Sequence, residues 1–464
     1  MKSAWVWVLM GCLGCDHATS SPPDAAAPRV DIVETNGSRL KLEWWQSADG
    51  ARQLRGVYDS QRAEECSFRP FGDGTLYCAP LSTGGRAYAD AACTQLRAVT
   101  DAAVPPKYVV ETIPGSSCTG HGTIMRLYAV GAAATETSVY QLTNGACTGP
   151  RSGLRIYNID HEVSPSGLVG GVLDRGTSTA SVVETAIKAD DGLIIPHELY
   201  GTASSAACRP LQSPHLQMFQ CLPVDDGYAS VTTNFANPTC TVPAAGVSAG
   251  CATPAVATSL TTSTCDVQPR YLVGAPLSSI YDPTGGCHAV APSPTSHYFA
   301  VGESVRMPGL GRAHDADPTH RLRTSYLTTR DGLYQHDHLF DALLGIECSM
   351  VPDSAGVGRC APLDVVSVSA AFSDPTCTVP QAAILLPQDP ACAGVPPRTG
   401  PKYNLRSVFG PDGPLSIIGI DAVDPAPRAL YVMNGATCTR FDGYAVGAPV
   451  SVDTFVSASA VIEP

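Results

Sequence analysis

The side chains best suited to chemistry fall in one stretch: His314, Asp315, Asp317 and His320, followed by His336, Asp337, His338 and Asp341. Imidazoles and carboxylates together are a divalent-metal donor set, and His336 and His338 alternate along an expected strand, so their side chains share a face. His336, His338 and Asp341 are therefore the candidate metal ligands, with solvated loop and strand-face residues as the ordinary alternative. Familiar catalytic spacings are missing. His161-Glu162 and His197-Glu198 open like a zinc-protease helix but lack the second histidine four residues on. Gly309-Leu310-Gly311 has no third glycine, and neither a Gly-x-Ser-x-Gly elbow nor a phosphate-cradling Gly-Lys-Ser/Thr occurs. The balance points to a noncatalytic protein without a cofactor. A secreted hydrolase or metal-dependent enzyme built around His336 and His338 is the alternative.

The 18 cysteines are too many for an ordinary bacterial cytosolic protein. Two of them close an N-terminal segment that carries one lysine and then the apolar run Ala4 to Met10, far short of the ~20 residues that span a bilayer. This reads as an export signal. Its end, Gly11-Cys12-Leu13-Gly14-Cys15, resembles bacterial lipoprotein signals, in which a small residue precedes the cysteine that takes lipid. The resemblance implies lipidation at Cys12 or Cys15 and anchoring in the bacterial cell envelope, at the outer membrane or cell surface. Residues 1–15 form the signal region, and the Ser/Pro/Ala-rich stretch 16–37 reads as a tether.

The other cysteines repeat with a period of ~140 residues. Asp49-Gly50, Asp191-Gly192 and Asp331-Gly332 each precede an aromatic (Tyr58, Tyr200, Phe340), then a cysteine (Cys66, Cys208, Cys348), then Cys-x-Pro at Cys78, Cys221 and Cys360. A third cysteine precedes threonine at Cys93, Cys240 and Cys377. Three units follow: 38–179, 180–319 and 320–464. The midpoints between Cys66 and Cys78, Cys208 and Cys221, and Cys348 and Cys360 fall on turn-forming residues, so three disulfides across hairpins are expected. Looser spacing suggests Cys240 with Cys251, Cys265 with Cys287, Cys118 with Cys147, and Cys392 with Cys438, which leaves Cys93 and Cys377 without partners.

The elements that must carry these residues alternate with period two. Arg39 to Trp44 and Gln53 to Tyr58 flank an Asp-Gly turn as a hairpin, and similar runs give about eight strands per unit. Trp44 and Trp45 face opposite ways on one strand, so one belongs to the core. With 43 glycines and 39 prolines, long helices are disfavoured. The expected class is all-β, arranged as a six-bladed propeller of three two-blade units. Three tandem β-sandwich or barrel domains are the alternative.

Charge narrows the partners. The chain has 29 Lys and Arg against 42 Asp and Glu, which disfavours nucleic acid and anionic membrane surfaces. The cysteine and Asp-Gly pattern as a whole resembles uncharacterised cysteine-rich repeat lipoproteins of myxobacterial type, a likeness that implies no particular activity. The expected function is that of a lipid-anchored envelope protein binding a protein or glycan through its loops. A structural surface spacer is a further alternative.

Overall fold

A computed structural model describes residues 32–463 apart from short internal stretches, the longest being 115–122, 213–218, 260–269, 385–402, 408–414 and 420–427. The signal region with Cys12 and Cys15, and most of the tether, lie outside the described residues. The protein is all-β, and among the described residues each unit supplies twelve strands. The body begins before residue 38: Thr35 pairs with Ile194, and the Asn36 side chain accepts from the Leu42 N–H at 2.7 Å. The tether thus ends several residues earlier than its composition suggests.

Fifteen strands close into one ring that runs through all three units. Unit 1 gives Leu40–Ser47, Arg52–Asp59, Glu64–Pro70, Leu76–Pro80 and, after a long excursion, Gly170–Asp174. Unit 2 gives Val182–Ala189, Ile194–Gly201, Ala206–Gln212, Phe219–Pro223 and Gly309–His314. Unit 3 gives Leu322–Thr328, Tyr334–Asp341, Ile346–Pro352, Gly358–Pro362 and Ser457–Ile462. The fifth strand of each unit returns to the fourth in one register: the N–H groups of Cys78, Cys221 and Cys360 donate to the carbonyls of Val169, Pro308 and Val456 at 3.0, 3.1 and 3.0 Å. The last strand then pairs with the first, Glu43 opposite Ile462, and closes the ring.

Between fourth and fifth strands each unit inserts a satellite. In unit 1, Thr83–Tyr88, Leu96–Thr100, Arg155–Glu162, Thr123–Ala133 and Tyr108–Pro114 close into a five-stranded barrel through a parallel pairing of the first with the last. Unit 2 repeats this with Tyr228–Phe235, Pro243–Ser248, Ser296–Val305, Arg270–Pro276 and Val256–Ser259. In unit 3, four strands close and three more form a small sheet. Six separate four-stranded blades are therefore not what the strand order gives, nor are three self-sufficient tandem domains, because the ring is shared. Closure, the device that removes sheet edges, is achieved once for the whole chain and again within the satellites.

The shared ring has interlocked cores. The first hairpin of each unit drops its tip into its neighbour. Leu193 of unit 2 is fully buried among Leu40, Leu42, Val57 and Val169 of unit 1, and Leu333 of unit 3 joins Val182, Leu199 and Leu310 of unit 2. Trp45 and Ala51 of unit 1 pack with Leu322, Leu339 and Met350 of unit 3. Volume is exchanged to fit. Where units 2 and 3 insert leucines, unit 1 has the smaller Ala51 together with the larger Trp45. The indole lies where a Cβ on Gly358 would sit, and the matching positions in units 1 and 2 are Leu76 and Phe219. Trp44, on the other face, is half-buried beneath the Arg52 guanidinium, 4.4 Å from the ring.

Disulfides brace both layers. Cys66–Cys78, Cys208–Cys221 and Cys348–Cys360 cross the hairpins of the ring, each with Cα atoms 5.2 Å apart. They join diagonal neighbours: Cys66 stands opposite Pro80, and Cys78 opposite Phe68. The satellites are closed by Cys93–Cys147, Cys240–Cys287 and Cys377–Cys438. This corrects the looser pairings expected from spacing, and Cys93 and Cys377 have partners after all; Cys118, Cys251, Cys265 and Cys392 lie outside the described residues. The reason is local geometry. An Asp or Asn caps the turn that carries the third cysteine: Asp90 Oδ1 accepts from the N–H groups of Thr94 and Gln95, Asn237 from Thr241 and Val242, and Asp374 from Thr378 and Val379. That turn holds each cysteine at positive φ, near 50°, and aims it at the satellite's second hairpin.

The ring cysteines are at most 3% exposed, whereas Cys93, Cys147, Cys240, Cys287 and Cys438 of the satellites are half-buried. Graded reduction with differential alkylation and mass spectrometry should open the satellite bridges first, because the ring bridges become accessible only when the ring itself opens. Equal or reversed labelling of the two sets would contradict this order.

Candidate functional site

The Asp-Gly turns have a second role at the seams between units. Asp191 Oδ2 of unit 2 accepts from the N–H groups of Arg39 and Leu40 at 3.0 and 2.6 Å, where the first strand of unit 1 begins. Asp331 of unit 3 accepts from Ser181 of unit 2 at 2.6 Å, and Asp49 of unit 1 from Leu322 of unit 3 at 3.1 Å. Each unit thus holds the next in a cycle. Burial works against ionisation of Asp49, but the Ser47 hydroxyl and the N–H groups of Leu322 and Ala51 together outweigh it and keep its pKa below the usual aspartate value. Asp331 is likewise lowered against a burial penalty, by Thr329 and Ser181.

Behind these staples the three seams differ at one equivalent contact. Gln53 of unit 1 donates to Ser349 Oγ at 2.7 Å and accepts from the Met350 N–H at 2.7 Å. At the seam of units 1 and 2 the pair is Ile195 and Phe68, packed in one core. At the seam of units 2 and 3 the equivalent positions are Gln335 and Pro210, which line one cavity. Proline has no N–H, and Gln335 Oε1 is buried without a partner.

A cavity of about 590 Å³ opens there, where all three units meet. Unit 1 contributes Phe68, Arg69 and Leu76; unit 2 His197, Glu198, Arg209 and Pro210; unit 3 Leu327, Gln335, His336 and Asp337. His336 Nε2, like Gln335 Oε1, is buried without a hydrogen-bond partner. Burial lowers the pKa of His336, with the His338 ring adding to the effect and Asp337 opposing it, so the imidazole is neutral at pH 7.

The residues singled out from sequence are divided among different surroundings. Opposite Ser325 and Tyr326 the register slips: Ser325 faces His338, Tyr326 faces His336, and Asp337 is the extra residue of a β-bulge. The bulge cancels the alternation that would have placed His336 and His338 on one face. His338 Nε2 lies 2.7 Å from Asp337 and 2.8 Å from Arg312. Arg312 also reaches Asp337 at 3.0 Å and Glu347 at 3.6 Å, His314 contacts Glu347 at 2.6 Å, and the His314 ring stacks on Phe340. His336 lines the cavity instead. Asp341 is fully buried, with its carboxylate in a paired contact with Arg321 and its Oδ1 also accepting from Leu343 and Leu344. Among the described residues no group of three or more His, Cys, Asp and Glu side chains is arranged to hold a metal ion. Asp317 lies outside the described residues. Sequence reasoning missed Gln335, Pro210 and the two arginines of the cavity; aligning Gln53 with Gln335 and Met350 with Pro210 would have exposed the mismatch, but nothing in one dimension says that Gln335 and Pro210 line one cavity.

No helix among the described residues is long and apolar enough to cross a membrane. Six disulfides among the described residues mark an exported protein. No curated protein and no solved structure matches the chain. One family model does, over residues 19–403, and that span covers most of both layers of the fold: the chain belongs to the family of unknown function DUF7481.

Proposed function

We propose that this is a noncatalytic, lipid-anchored protein of the bacterial cell envelope that binds a protein or glycan. The observation that carries the reading is the contrast between what the three copies keep and what they vary. Hairpin disulfides, staples and strand register recur, while the seam contact changes from Gln53–Met350 to Ile195–Phe68, and at the third seam the equivalent Gln335 and Pro210 both line a cavity. A scaffold that is constant in its braces and different in its recesses suits recognition better than one repeated chemical step. Anchoring through Cys12 or Cys15 at the outer membrane or cell surface fits the disulfide load and the short apolar leader.

The test is labelling of expressing cells with a palmitate analogue, followed by fractionation. Wild-type protein is expected to take up label and sediment with membranes. Either Cys12→Ser or Cys15→Ser should abolish the label and release the protein, which identifies the anchor. An unlabelled wild type, or label that survives both substitutions together, would overturn the lipid reading.

A further inference from the structure

We draw no further inference here: the strongest candidate, the cavity where the three units meet, points to no class of ligand, because formal charge in its wall cancels and the unpaired Gln335 Oε1 and His336 Nε2 beside it are buried on opposite faces of one strand, with no surface open to it.

Discussion

Asp341→Ala is expected to destabilise the protein by about 3–5 kcal/mol, the usual cost of removing one partner from a buried ion pair. The aspartate is fully buried, and its loss takes the carboxylate from the Arg321 guanidinium, which keeps only the Thr454 carbonyl at 2.9 Å, and the acceptor from the Leu343 N–H. The same arrangement holds in unit 1, where Arg39 meets Asp59 at 2.8 and 2.5 Å. Unit 2 shows how the pair is done without: Ser181 stands for the arginine and Gly201 for the aspartate, and Ser204 Oγ donates to the Gly201 carbonyl at 3.1 Å. The double variant Arg321→Ser with Asp341→Gly copies that solution. It should recover at least about 1–2 kcal/mol relative to Asp341→Ala, because no unpaired charge is left buried. Urea denaturation of the single and double variants measures both numbers. A double variant less stable than Asp341→Ala would contradict the account.

Removing all three staples is the second large effect. Asp49→Ala and Asp191→Ala should each cost about 2 kcal/mol, and the more exposed Asp331→Ala about 1, from the worth of hydrogen bonds to charged acceptors. The triple variant then loses about 5 kcal/mol, comparable with the whole net stability of many folded domains. The loss should be cooperative, since each staple joins two different units. Acid should mimic it in part. Asp49 and Asp331 are held below the ordinary aspartate value, so the unfolded chain takes up protons before the folded one does. Their contribution is complete above about pH 4 and is lost as pH falls through the folded values. Thermal melts of wild type and triple variant between pH 7 and about pH 2.5 should converge on the acid side. Parallel curves at every pH would show that the aspartates do not carry the seams.

Much of the ring was legible in the chain. Alternation marked the first two strands of each unit, Asp-Gly marked their turn, and the recurring Cys and Cys-x-Pro marked the hairpin that follows. Gly170-Gly171-Val172-Leu173-Asp174 was not legible as a strand, because paired glycines read as a turn. The tertiary reason for them is close approach: a Cβ on Gly170 would lie 2.5 Å from the Asp190 carboxylate, and one on Gly171 would lie 2.8 Å from Phe68 and Ile187. Thr83–Tyr88 hid in the same way, since Gly84 gives room to Pro106. The shared face expected of His336 and His338 was lost at one residue, the bulged Asp337, for a bulge leaves no mark in a period-two pattern.

By itself the sequence determined the class, the three-fold repetition and the hairpin disulfides, since these follow from local periodicity and from residues a dozen positions apart. Only the tertiary structure decided that the three copies share one ring, that the hairpin of one fills the core of another, and that the third cysteine of each unit bonds across 47 to 61 residues. It alone decided that Gln335 and Pro210 line one cavity. Contacts at that range depend on which surfaces complement one another in volume and hydrogen bonding, and a proline's missing donor matters only once the residue facing it is known.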